Sequence, residues 1–194
     1  MTLLFALLMM VQTQEQPLLI PFVDAGSEVW VVNGADPQEV LVLMPGTPLP
    51  QRYPLKQWES VTIQAKFRGY VRIGRRYPVL AWSVVAGTVF QARLADSVAS
   101  VFAATPQTGI SIANPFGEPV AFTFWIFDSS SQSSRSINDV IPALGHVVDY
   151  VSRWTGPVKS NTTVVLASAK PIVIGVARCV TPGACESVPV ANIK

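Results

Sequence analysis

Between residues 120 and 127 the side chains sort into two sets under a period of two: Val120, Phe122, Phe124 and Ile126 on one face, Ala121, Thr123, Trp125 and Phe127 on the other. With both faces apolar, the run reads as a strand well inside a sandwich. A second extended run, residues 108–113, precedes it. Between the two lies Asn114-Pro115-Phe116-Gly117-Glu118-Pro119, so the pattern predicts strand, turn, strand. The same succession occurs earlier in the chain. Residues 28–33 are apolar and β-branched, Gly34-Ala35-Asp36-Pro37 interrupts them, and residues 40–44 resume, with Asn33 in the place of Asn114.

Other stretches follow the same code. Residues 60–65 alternate with Val61, Ile63 and Ala65 on one face, and residues 79–85 (with Trp82), 88–94, 147–151, 162–167 and 172–177 read as strands. Residues 45–54 hold four prolines and are expected to run extended as a linker. Residues 96–104 read as a short helix or a connector between halves. Residues 129–136, with six serines in eight positions, read as a flexible hairpin loop. Asn33 and Asn114 are 81 residues apart and Pro78 and Pro171 are 93 apart, so the halves look like divergent copies with a longer loop in the second. The expectation is an all-β chain of two related antiparallel β-sandwich modules in tandem with little helix: an N-terminal segment 1–16, a first module 17–104 and a second module 105–194. Whether these are separate domains or halves of one larger sandwich is left open.

Composition changes the picture in one respect. Hydrophobic residues make up 49% of the 194 and charged ones 13%, against roughly 25% charged in an average soluble domain, which suits a chain that works against a partner. A net charge of +2 is too small to imply nucleic acid. Residues 3–11 form an apolar run of signal-peptide length, far short of the roughly 20 residues of a membrane-spanning helix, though no basic residue precedes it. Export is the preferred reading, and a first strand or an apolar tail packed on a partner is the alternative. Residues 66–76 carry Lys66, Arg68, Arg72, Arg75 and Arg76 and no acid. On a strand, Lys66, Arg68, Arg72 and Arg76 would share a face, either as a solvated or edge-protecting surface or as a contact for an acidic partner or anionic lipid.

Candidate chemistry is sparse. The single histidine, His146, is assigned to hydrogen-bonding its turn. No Gly-x-Ser-x-Gly, Gly-x-Gly-x-x-Gly, P-loop or His-Glu-x-x-His motif occurs, and the twelve carboxylates are scattered. The expectation is no enzyme, no metal and no cofactor, with only a carboxylate pair assembled from distant residues left open. Of five tryptophans, Trp30, Trp82 and Trp125 are expected to be buried in strands, and Trp58 and Trp154, beside turns, are the candidates for an exposed aromatic contact. Cys179 and Cys185 bracket a turn at Pro182-Gly183 and are expected to form a disulfide, in keeping with an oxidising compartment; two free thiols, or a metal site short of two ligands, are the alternatives. Asn161-Thr162-Thr163 fits a glycosylation sequon.

Three stretches carry a family resemblance: Thr108-Gly109-Ile110-Ser111-Ile112-Ala113-Asn114-Pro115, then Pro142-Ala143-x-Gly145-His146-Val147, then Ser168-x-x-Pro171-Ile172-Val173-Ile174-x-x-x-Arg178. The pattern resembles the tandem β-sandwich modules of secreted bacterial proteins, well over residues 109–178 and loosely in the first half. There Asn33-Gly34 replaces Asn-Pro and no Gly-His pair occurs. The resemblance implies immunoglobulin-like or fibronectin-like sandwiches outside the cytoplasm that act as spacer, adhesion or docking modules, and it assigns no catalytic residue. The expected role is an accessory or scaffold subunit docked on a larger extracytoplasmic, membrane-associated protein assembly. The alternative is a carbohydrate-binding or adhesion module using Trp58 or Trp154.

Overall fold

The computed structural model describes residues 17–128, 133–160, 162–181 and 184–193. The expectations for residues 1–16, for 129–132 of the serine-rich loop, for Asn161 of the sequon and for the Pro182-Gly183 turn lie outside the described residues. The described chain is all-β. Its first nine strands are β1 (Leu18–Val23), β2 (Glu28–Asn33), β3 (Gln38–Leu43), β4 (Gln51–Leu55), β5 (Ser60–Gln64), β6 (Gly69–Gly74), β7 (Val79–Val85), β8 (Thr88–Gln91) and β9 (Arg93–Leu94). The next nine are β10 (Ala99–Ala104), β11 (Thr108–Ala113), β12 (Val120–Asp128), β13 (Ser133–Ile141), β14 (His146–Tyr150), β15 (Thr162–Ser168), β16 (Val173–Thr181), β17 (Ala184–Ser187) and β18 (Ala191–Ile193), with one helical turn, α1 (Ser152–Thr155), between β14 and β15.

These strands form four antiparallel sheets. The first module pairs a five-stranded sheet, β4-β3-β6-β1-β9, with a four-stranded one, β5-β2-β7-β8. The second pairs β13-β12-β15-β10-β18 with β14-β11-β16-β17. Adding nine to every label of the first module gives the second, so the repeat suspected from two asparagines extends to the whole strand order. The longer β12–β13 hairpin and α1 account for the extra residues between Asn114 and Pro171.

Each module closes over its own apolar layer. In the first, Ile20, Val40, Val42, Val71 and Ile73 of the five-stranded sheet meet Val29, Val31, Ile63 and Ala81 of the other. In the second, Phe102, Phe122, Phe124, Ile126, Val164 and Leu166 meet Ile110, Ile112, Ile174 and Val176. Burying a side chain of this size stabilises by about 1.5–3 kcal/mol, and the period-two alternation delivers each of them to the interior.

Two stretches differ from the sequence reading. Residues 51–55, of which 51–54 were expected inside a proline-rich linker, pair with β3 as an edge strand. An edge tolerates Pro54 because one side of the strand needs no ladder donor. Residues 99–104, expected as a helix or connector, form β10 and pair with β15 and β18 of the second module. Its run of Ala and Ser gives no strong period, and its strand state is set by these neighbours.

The modules meet along a seam. Pro21 interrupts the β1–β6 ladder, and the register shifts between Ile20 and Val23. A proline has no donor to give, and a bulge re-aims the neighbouring groups. The Pro21 carbonyl points instead at the second module, where it accepts from the Ser111 hydroxyl at 2.5 Å and from His146 Nε2 at 3.0 Å. Leu19, Ala95 and Val173 form a small buried cluster beside it with Tyr70 packed on them. Gly175 lets the two modules close: a Cβ built there would lie 2.9 Å from Pro21 Cγ and 3.0 Å from Phe90 Cδ1. Gly175→Ala is therefore expected to destabilise the protein by about 1–3 kcal/mol. A thermal melt unchanged from wild type would contradict this tight packing.

Candidate functional site

His146 is the most constrained polar group of the seam. It is the first residue of β14 and lies half-buried, stacked on Phe22 (centroids 6.1 Å apart) and near Tyr70 (5.9 Å). Its Nε2 is 2.8 Å from Ser111 Oγ as well as 3.0 Å from the Pro21 carbonyl. A carbonyl can only accept, so the contact places the proton on Nε2 and gives the Ser111 proton to the same oxygen. This is not the geometry of nucleophile activation, in which the imidazole must take the hydroxyl proton. Burial pushes the His146 pKa down to about 4, opposed by the Pro21 hydrogen bond and reinforced by the nearby Arg68 charge. The ring is neutral at physiological pH and ties two modules together. The ring's hydrogen bonds run to Ser111 and Pro21 and not to its own turn, the role expected for it from sequence.

Tyr70 completes the seam: its hydroxyl donates to the carbonyl of Leu144 at 3.3 Å and lies 3.5 Å from that of Asn114. The cleft between Pro21, Phe90, Gly175 and Val190 holds about 140 Å³, well below the roughly 300–1,000 Å³ of small-molecule sites.

The basic stretch does not form one charged stripe. Lys66 and Arg68 precede β6, and Arg75 and Arg76 follow it, so within the strand only Arg72 shares the outer face with Tyr70. That strand is central in its sheet, between β3 and β1, and protects no edge. Arg68 is paired with Asp24, Nη2 to Oδ2 at 3.1 Å, which holds the Asp24 carboxyl below its ordinary range. Arg76 lies over the Tyr77 ring, and its backbone amide donates to the Gln38 side chain.

The tryptophans redistribute as well. Trp58 is 68% exposed, at a turn with φ of 57°. Trp154, the other candidate for exposure, instead packs on the second core against Phe122 and Phe124, with Nε1 donating to Asp139 at 2.8 Å. Trp125, expected inside, is 45% exposed with Phe127 beside it at 43%. Trp30 and Trp82 lie directly opposite each other on β2 and β7 with parallel rings 6.1 Å apart, on the outer face of the first module's four-stranded sheet. Sequence reasoning missed these faces because an apolar residue at every position of a strand does not say which face will be covered.

Cys179 and Cys185 are joined in a disulfide between opposed positions of β16 and β17. Closing so short a loop contributes roughly 2 kcal/mol, and Cys185 packs on the first module's core. No cluster of three or more His, Cys, Asp or Glu able to hold a metal occurs among the described residues. No helix of the described chain is long and apolar enough to cross a membrane.

The outer face of the second module's five-stranded sheet is uncovered too. Its outward positions are Ala121, Thr123, Trp125 and Phe127 on β12, alternate small or apolar residues on β10, β15 and β18, and Ser134, Ser136, Asn138 and Val140 on β13; none is charged. No protein-family model, curated protein or solved structure matches the chain.

Proposed function

We propose that the chain is a non-catalytic accessory or scaffold subunit, built from two immunoglobulin-like modules, that docks on a larger extracytoplasmic, membrane-associated assembly through its sheet faces. The observation that carries the reading is the uncharged outer face around Trp125 and Phe127. Large exposed apolar side chains gathered on an uncharged face of a folded protein mark an interaction surface. The Cys179–Cys185 bridge supports an oxidising compartment, and the low charge content supports life against a partner. Lys66, Arg68, Arg72, Arg75 and Arg76, in and around β6, are the further candidates for contact with an acidic partner or anionic lipid. The exposed Trp58 favours a second reading, carbohydrate stacking or adhesion.

A native pull-down from membranes, followed by mass spectrometry, tests the first reading. Wild type is expected to recover a discrete set of subunits that Trp125→Glu loses; an identical set from both proteins would refute docking through this face. Glycan-array binding abolished by Trp58→Ala would select the second reading.

A further inference from the structure

The two modules clamp the same turn with the same side chain but follow it with different residues. Asn33 is succeeded by Gly34 and Asn114 by Pro115, and no other asparagine of the chain precedes a glycine. The difference is chemical. An asparagine side chain is open to attack at Cγ by the main-chain nitrogen of the next residue, and glycine, with no side chain, hinders that attack least. Proline carries no N–H and cannot serve as the nucleophile.

Packing holds the labile pair in place and also keeps it from reacting. A Cβ at position 34 would lie 2.7 Å from the Pro78 carbonyl oxygen, so any side chain there would collide with main chain. Asn33 is 1% exposed and ends β2 in extended backbone. Its amide donates to the Glu59 carbonyl at 2.9 Å, and the Gly34 carbonyl accepts from the Trp58 amide at 3.1 Å. The Asn33 Nδ2 faces the carbonyls of Asp36, Leu55 and Lys56, and its Oδ1 accepts from Gln38 Nε2 at 2.7 Å. Closing a five-membered ring onto Cγ would require the strand end to turn and the side chain to leave all four partners at once.

We propose that the Asn33-Gly34 pair is a modification site gated by the folding of the first module: a deamidation site that is shut in the native chain and reacts when that module opens. The Gly34 nitrogen gives its proton to solvent and bonds to Asn33 Cγ, the Cγ–Nδ2 bond breaks, and Nδ2 leaves as ammonia. Water then opens the cyclic imide at either carbonyl, leaving an aspartate or an isoaspartate at position 33; nothing is oxidised or reduced. Neither product can resume the clamp. A carboxylate has no N–H for the carbonyls that Nδ2 served, and burying it among acceptor oxygens is unfavourable. Isoaspartate also lengthens the main chain by one carbon where β2 pairs with β7. Repeated opening therefore retires molecules through the first module, whereas the second module, with Pro115, opens and closes without this loss.

Peptide mapping by mass spectrometry tests this on the full chain, incubated for equal times at mildly alkaline pH in buffer and in guanidinium chloride. In denaturant Asn33 is expected to lose its amide while Asn114 keeps its own. In buffer the loss at Asn33 should be slower by roughly tenfold or more, because the reaction waits on the open population. Each event adds one negative charge, so ion exchange separates the deamidated molecules. Returned to buffer, that fraction is expected to melt lower by on the order of 10 °C than the fraction that kept its amide. Equal loss at Asn33 in buffer and in denaturant overturns the gating. An intact Asn33 in denaturant, or loss at Asn114 that matches it, overturns the assignment of the site, and an acidic fraction that melts with the unmodified protein overturns the irreversible loss.

Discussion

Replacing Asn114 with alanine is expected to cost about 3 kcal/mol, the largest loss from a single polar side chain in this protein. The residue is fully buried at the end of β11. Its Nδ2 donates to the carbonyls of Glu118 and Pro142, both at 2.8 Å, with that of Ile141 at 3.4 Å, and its Oδ1 accepts from the Phe116 amide at 2.9 Å. One amide side chain thus holds the β11–β12 turn against the end of the β13 hairpin. Alanine would leave two carbonyls and one amide of the part-buried turn without the partner that holds them, at roughly 1 kcal/mol each. The change should appear in urea unfolding as a lower midpoint, and in melting as a fall on the order of 10 °C. Asn114→Asp should be at least as damaging, because a carboxylate would face carbonyl oxygens. Asn33→Ala should cost a similar amount in the first module, where Nδ2 donates to the carbonyls of Asp36 (2.9 Å) and Lys56 (2.8 Å) and Oδ1 accepts from Gln38. Melting unchanged by the Asn114 substitution would contradict its role as the clamp of the turn.

The second large effect is acid lability at the seam. His146 has a folded pKa of about 4 against an ordinary value of 6.5, mainly through burial. At pH values between these the unfolded chain binds a proton that the folded chain refuses. Its contribution is therefore complete above about pH 6.5, declines as the pH falls, and is exhausted near pH 4, with a total loss of about 3 kcal/mol. The chain has no other histidine. Asp24, whose pKa is lowered by Arg68, acts only below its ordinary value of 3.8, so the window from 6.5 to 4 belongs to His146. Denaturant unfolding at a series of pH values should show this slope in wild type and a flat response in His146→Gln. An imidazole carbon resonance titrating near 6.5 in the folded protein would contradict it.

The parts of the fold that could be read in advance were those with strong local signals. The two Asn-turn motifs announced themselves because a buried asparagine facing several carbonyls needs a turn of fixed geometry around it, and Pro37 and Pro119 hold that turn. The alternation around Phe122, Phe124 and Ile126 likewise marked β12 as a strand, though with both faces apolar it did not say which one meets the core. What local signals left open was which second faces are covered. Trp125 and Trp154 exchanged roles because sheet stacking settles burial, and no period within one strand reports what lies above it. The basic residues of 66–76 were read as a stripe since alternation was extended beyond β6 into turns, where the pleat no longer applies. The seam was invisible for the same reason: Pro21, Ser111 and His146 are far apart in sequence and meet only after both modules have formed.

The acceptor that joins the two modules is a main-chain oxygen, freed by the irregularity at Pro21. A tie of this kind does not depend on which side chain happens to occupy position 21, as long as the strand keeps its kink. For this tie the chemical identity is stored on the opposite side, in the Ser111 hydroxyl and the His146 imidazole, whereas at Tyr70 the first module brings the side chain and the second module the main-chain carbonyl of Leu144. Position 21 can therefore drift in sequence while Ser111, His146 and Tyr70 are held fixed.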